Sequence, residues 1–193
     1  HGPLARTELG EQRVQGLDYA YTLQGWLKGV NSSSLAAAND IGQDGLSSNI
    51  TNKWVARDAL GFSLNYFNGD YSSIFAGAGT QSMPLHTQAQ GISNGLPGSA
   101  YKPLYNGNIS SMVVNTDKLT IVNATGTSTT TGAILYNYKY DQLNRLRSMD
   151  AYKGLTAANN SWANLVTLNA YRERIAYDAN GNILKYLRHG NVN

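Results

Sequence analysis

Few residues in this chain are placed to do covalent or metal chemistry. The imidazoles are His1, His86 and His189, and none has a second histidine or an acidic partner at a metal spacing such as HExxH. Two aspartates, Asp141 and Asp178, recur in matching strings. A paired-carboxylate hydrolase would need two such groups about 5–10 Å apart, but equivalent turn corners already account for the recurrence, and a turn-capping role is favoured. Asp40-Ile41-Gly42-Gln43-Asp44-Gly45 distantly resembles a calcium loop. Its third position is Gly42 and its twelfth Thr51, where such a loop needs oxygen ligands and a bidentate Glu, so no metal is assigned. There is no Gly-x-Ser-x-Gly elbow, and Gly77-Ala78-Gly79 lacks the spacing and the lysine of a phosphate loop. Trp26, Trp54 and Trp162 could join the tyrosines in a sugar-stacking platform, although most of the aromatics sit at period two, which favours cross-strand packing. The expectation is a non-enzyme with no cofactor and no metal.

Stepping outward to composition, the 193 residues contain 13 Tyr, 20 Gly and only 14% charged residues, against about 25% charged in an average globular protein. Tyrosine offers a large apolar ring with a wettable hydroxyl, which suits a sheet packed on one face. The net charge is +3, from 15 Lys and Arg against 12 Asp and Glu. That is too small and too dispersed for a nucleic-acid footprint. With no cysteine, there are neither disulfides nor thiolate metal sites. No apolar stretch approaches the roughly 20 residues of a membrane-spanning helix, so no direct membrane span is expected. The start at His1, without a charged leader or an apolar segment, favours reading the chain as a slice of something longer.

The clearest element is Ile134 to Tyr140, where Ile134, Tyr136, Tyr138 and Tyr140 alternate with Leu135, Asn137 and Lys139. This predicts a half-buried strand with the tyrosine stripe inward. It runs into Tyr140-Asp141-Gln142-Leu143-Asn144-Arg145-Leu146, and the pattern returns in Tyr177-Asp178-Ala179-Asn180-Gly181-Asn182-Ile183. In each, the Asp accepts backbone amides, two residues take the turn, and Asn144 or Gly181 supplies a positive φ. The next strand then opens on an inward Leu146 or Ile183. Looser copies occur at Tyr21-Thr22-Leu23-Gln24-Gly25-Trp26-Leu27 and at Tyr105-Asn106-Gly107-Asn108-Ile109, where Asn106-Gly107 fits a two-residue type I′ turn. Hairpin units are therefore expected near 17–31, 105–114, 134–149 and 171–188. Loops or insertions are expected near 31–49, 76–99 and 123–132, with one helical turn at Leu35 to Asn39.

The Tyr-Asp strings at 140–146 and 177–183 resemble YD repeats, the repeats of bacterial RHS proteins, the C component of Tc toxins, wall-associated proteins and teneurins. Gly2 to Gly10, Leu17 to Lys28 and Asp58 to Tyr71 resemble the degenerate repeats of long bacterial surface members. The resemblance touches about half of the chain. It implies an all-β fold, an antiparallel hairpin ribbon forming part of a YD-repeat β-spiral shell, with residues 1–193 as one fragment of it. It further implies a secreted or cell-surface location. The partners would be the remainder of the same long polypeptide, its C-terminal effector domain beyond Asn193, and outer-membrane secretion or surface-anchoring proteins. No DPxG-type string is present, so self-cleavage is assigned to no residue. The rival readings are a carbohydrate-binding or adhesive surface module, which requires exposed coplanar aromatics, and an export cargo captured with secretion machinery.

Overall fold

In the computed structural model, residues 2–71, 101–117, 120–122, 128–130, 132–156, 162 and 165–190 are described. The strands are β1 (Arg6–Leu9), β2 (Gln15–Tyr21), β3 (Leu27–Val30), β4 (Leu60–Asn65), β5 (Ser111–Thr116), β6 (Thr120–Val122), β7 (Ser128–Thr130), β8 (Ile134–Tyr140), β9 (Leu146–Lys153), β10 (Val166–Tyr177) and β11 (Ile183–Arg188). Nine of them form one antiparallel sheet in the order β1-β2-β3-β4-β5-β8-β9-β10-β11, and β6 pairs with β7 separately. Each strand of the large sheet thus neighbours the one before it in the chain, apart from the β6–β7 excursion. The only helical element among the described residues is a 3-10 turn, Ala37–Asn39, within the expected helical turn. No helix among the described residues is long and apolar enough to cross a membrane.

Three of the hairpins are built alike. Tyr21 pairs with Leu27, Tyr140 with Leu146 and Tyr177 with Ile183. The next ladder pairs are Ala20 with Gly29, Lys139 with Ser148 and Ala176 with Lys185, so one extra residue (Lys28, Arg147 or Leu184) is squeezed into the second strand as a bulge. The residue before the last of each turn has positive φ: 82° at Gly25, 60° at Asn144 and 93° at Gly181. The backbone bonds coincide as well. Thr22 N donates to Trp26 O, Asp141 N to Arg145 O and Asp178 N to Asn182 O, at 2.8–2.9 Å. The repeat aligned from sequence at these three places is a repeat in three dimensions.

The fourth proposed unit is not where the sequence placed it. Gly107 has φ 86°, but Asn106 does not share the positive φ that a type I′ turn requires at both central positions. Residues 105–110 instead end a long excursion between β4 and β5, which pair from Leu60↔Thr116 to Asn65↔Ser111. Tyr66, directly after β4, stands where Tyr21 and Tyr140 stand in their own hairpins. The expected loop near 76–99 lies outside the described residues, and within the one expected near 123–132, Ser128–Thr130 is strand β7.

The burial of the two sheet faces follows the expectation only in part: Ile134 is buried and Lys139 exposed, as expected. Tyr136, Tyr138 and Tyr140 do alternate with Leu135, Asn137 and Lys139, but the tyrosines are half-buried while Leu135 and Asn137 are 0% exposed. The same covered face carries Asp18, Ser63, Asn65, Ser111, Val113 and Asn115. It is covered because the β3–β4 connection folds back across it: Asn115 Nδ2 donates to Ser33 O at 2.8 Å, and a Cβ on Gly61 would collide with Ser32 O. The expected loop of residues 31–49 therefore roofs the sheet. Further along, Tyr101, Val113, Ala133, Leu135, Tyr152 and Trp162 make an apolar cluster on this face, and Ile134 with Ala151, Tyr136, Leu168 and Tyr171 make a smaller one on the other. Leu27 and Leu146 are partly buried, but Ile183, expected inward, is 61% exposed because β11 lies at the end of the sheet.

The turn geometry gives a direct test. Gly181→Val forces a β-branched residue to φ 93° and should destabilise the chain by about 1–2 kcal/mol in urea denaturation. An unchanged midpoint would show that this hairpin is not held in the bulged form.

Candidate functional site

The hairpin turns line up along one edge of the sheet and touch in sequence order. At the third turn, Asp141 Oδ1 accepts from Leu143 N at 2.9 Å and Arg145 N at 3.0 Å, and its Oδ2 from Arg145 Nε at 2.7 Å. At the fourth, Asp178 accepts from Asn182 N and Asn182 Nδ2, both at 2.8 Å. Both carboxyls are held below the ordinary aspartate value, Asp141 chiefly by the Arg145 amide and Asp178 chiefly by the Asn182 side chain. Thr22 takes the same place in the first turn, its Oγ1 accepting from Trp26 N at 3.2 Å. The capping role read from sequence for these positions is what the side chains do.

Between turns, the residue after each positive-φ position reaches the neighbour. Trp26 packs on Tyr66, with ring centroids 4.9 Å apart, and lies so close to Gly107 that a Cβ there would sit 3.3 Å from the indole. Asn106 and Asn108 both donate to Asn144 Oδ1, at 2.7 and 3.3 Å. The Arg145 guanidinium covers the Tyr177 ring at 4.6 Å and donates to Asp178 O. One layer below runs a second set of links. Tyr66 Oη donates to Leu27 O, Tyr140 Oη to Ile109 O and Tyr177 Oη to Leu146 O, at 2.9, 2.9 and 2.8 Å. In each case the tyrosine closing one hairpin's first strand bonds the carbonyl of the inward Leu or Ile of the hairpin before it. These links join Tyr140, Tyr177, Leu27 and Leu146, which the repeat predicted, to Tyr66, which it missed.

The covered face holds an ionic network that sequence spacing did not show. Lys28, the bulge residue of the first hairpin, is fully buried and donates to Asp70 Oδ1 and Oδ2 at 2.8 and 2.9 Å and to Asn65 Oδ1 at 2.9 Å. Burial pulls its ammonium down to about 8 against the opposing pull of Asp70. Elsewhere on this face, the Arg6 guanidinium contacts Asp18 and donates to Asp44 at 2.9 and 3.1 Å. Gly16 and Gly42 flank the guanidinium, and a Cβ on either would strike it. Asn31, at φ 54°, fastens the region: Asp18 N donates to its Oδ1, and its Nδ2 donates to Leu60 O. Asp40 and Asp58 complete the cluster, and burial, reinforced by the charge of Asp40, pushes Asp58 up to about 8. Of these acids the sequence singled out Asp40 and Asp44. Asp18 and Asp58 were missed because they lie on a strand and in a distant stretch of the connection.

No protein-family model, curated protein or solved structure matches this chain. The site must therefore be argued from its own geometry. The three predicted turns and the tyrosine links form an extended structural array, and Asp18, Asp40 and Asp44, with Asp58 beside them, are where three or more buried acidic groups converge among the described residues.

Two measurements probe the network. Removing one member of a buried ion pair leaves the other uncompensated, which costs about 3–5 kcal/mol. Lys28→Met should lose that much in urea denaturation. Adding Asp70→Leu should restore only part, because Asp70 Oδ2 also accepts Tyr66 N at 2.9 Å. The second concerns pH. The folded chain keeps the Asp58 proton up to about 8, whereas the ordinary value is 3.8, so between these values the unfolded chain binds fewer protons and stability falls as pH rises. In a chelating buffer the Tm should decline from pH 5 to pH 8, and Asp58→Asn should flatten the decline. A flat wild-type profile would contradict the raised value.

Proposed function

We propose that this chain is a structural segment of a secreted or cell-surface wall of the RHS/YD-repeat kind, which encloses, carries or displays another polypeptide. The observation that carries the reading is the chain of tyrosine hydroxyl to carbonyl links from each hairpin to the one before it. These links give every hairpin the same relation to its neighbour, the requirement for a ribbon that extends by adding units. The strand order supports it, since hairpins succeed one another across the sheet as they do along the chain. So does the edge at β11, a six-residue strand with Ile183, Leu184, Tyr186 and Leu187 exposed. An edge of that length and composition invites a further strand.

An adhesive or sugar-binding face has less support. Trp162 is buried in the apolar cluster and Trp26 is packed into the row of turns, leaving Trp54, 87% exposed, as the tryptophan open to a ligand.

Limited proteolysis of the complete gene product tests the proposal. A polypeptide held inside or behind the wall should survive digestion while the ribbon is folded and be cut once denaturant opens it. Digestion of the whole product outside these hairpins at the rate of an unfolded substrate would overturn the reading. A saturable glycan interaction lost on Trp54→Ala would favour the adhesive alternative.

A further inference from the structure

The covered face holds more acid than its cations neutralise. Asp18, Asp40, Asp44 and Asp58 converge there, and Lys28 is engaged with Asp70. Arg6 is the one cation paired within the cluster among the described residues, and its nitrogens reach Asp18 and Asp44. An acidic cluster does not by itself point to a ligand, but two oxygens beyond the reach of Arg6 do. Asp40 Oδ1 and Asp58 Oδ1 are buried with no N–H or hydroxyl donor, in residues only 1% and 9% exposed, and without a cation the two carboxyls have only each other, sharing a proton. Buried carboxylate oxygens almost always find donors. Here two facing carboxyl groups each present an oxygen without an N–H or hydroxyl donor beside two more buried carboxylates.

We infer that Asp40 and Asp58, together with Asp18 and Asp44, form a structural site for a calcium ion. The donors are all carboxylate oxygens, the ligands of hard cations, with no imidazole or thiolate to recruit zinc or copper. Oxygens of Asp18, Asp40 and Asp44 lie within 4.8 Å of one another. A set made wholly of protein carboxylates suits calcium, because magnesium usually keeps several waters and is seldom held in an all-protein cage. The ligands come from β2 and from three points of the 31–59 connection, so the ion fastens the connection to the sheet. This arrangement explains why the loop spacing alone failed: positions Gly42 and Thr51 cannot supply ligands, and Asp18 and Asp58 supply them from outside the loop.

The test is calorimetric titration of the chelator-stripped chain with calcium chloride and with magnesium chloride at pH 8, with melting curves alongside. The expected result is saturable one-to-one calcium binding that raises the Tm, at least tenfold tighter than magnesium. Asp40→Asn and Asp58→Asn should each weaken calcium binding at least tenfold, and the exposed Glu11→Gln should leave it unchanged. Absence of saturable calcium binding by the wild-type chain, binding unaltered in both aspartate variants, or equal affinity for magnesium would overturn the inference. Should either variant fail to fold, one-to-one stoichiometry and the calcium-dependent Tm of the wild-type chain decide, and their absence overturns it.

Discussion

An antiparallel ribbon of hairpins has a weakness at every junction between units, where two strands meet without a tight turn to set their register. Backbone ladders alone tolerate slippage when neither face is strongly apolar. Here the register is pinned by one interaction repeated three times, a tyrosine hydroxyl on the carbonyl of the preceding hairpin. The tyrosine closes the first strand, and the carbonyl belongs to the residue directly opposite the corresponding tyrosine of its own hairpin. A slip of one residue would turn the ring to the other face and break the bond. The bulge contributes to the same end, because it fixes the second strand relative to the turn before the next hairpin is added.

The polar interior follows from how the ribbon is covered. An open sheet must bury one face, and here the covered side of these strands carries the smaller and more polar residues. One side alternates small residues, Gly16, Asp18 and Ala20 in β2, then Gly61, Ser63 and Asn65 in β4; the other alternates Leu17, Tyr19 and Tyr21, then Leu60, Phe62 and Leu64. The small side admits the main chain of the 31–59 connection close against the sheet, where Asn and Ser side chains satisfy its amides and carbonyls. Bulk on that face would hold the connection away and leave its polar groups unpaired. Tyr136, Tyr138 and Tyr140, on the uncovered side, remain half-buried, with burial raising the phenol of Tyr138 to about 12.

The same contrast explains what the sequence disclosed. Turn chemistry is local, so Asp141, Asn144, Asp178, Gly181 and Gly25 were placed correctly from strings of seven residues. The direction of burial was misread because hydrophobic periodicity assigns the core to the larger apolar side, whereas here close approach of backbone decides it; the signal available was the small-residue alternation itself. The second hairpin was mislocated because its turn is interrupted by 45 residues from Tyr66 to Ser110, which separates Tyr66 from Ile109 far beyond any motif window. The acidic cluster was invisible for a related reason: Asp18 and Asp58 meet only once the connection has folded back.

The links also give the ribbon a direction. Each hairpin offers a carbonyl forward and a hydroxyl backward, so the two ends of the sheet are chemically different. At the β1 end the strand is only four residues long and carries Arg6 and Glu8, with Arg13 paired to Glu8 nearby. Charge and brevity blunt an edge against unwanted pairing. Arg6 moreover turns inward to Asp18 and Asp44, tying the short edge strand to the covered face. At the β11 end, Ile183 occupies the position whose carbonyl accepts a tyrosine in the three earlier hairpins, and the strand beyond it is uniformly exposed. The two edges of the sheet therefore differ in kind: β1 is short and charged, which discourages pairing with a further strand, while β11 is longer and apolar, which invites it.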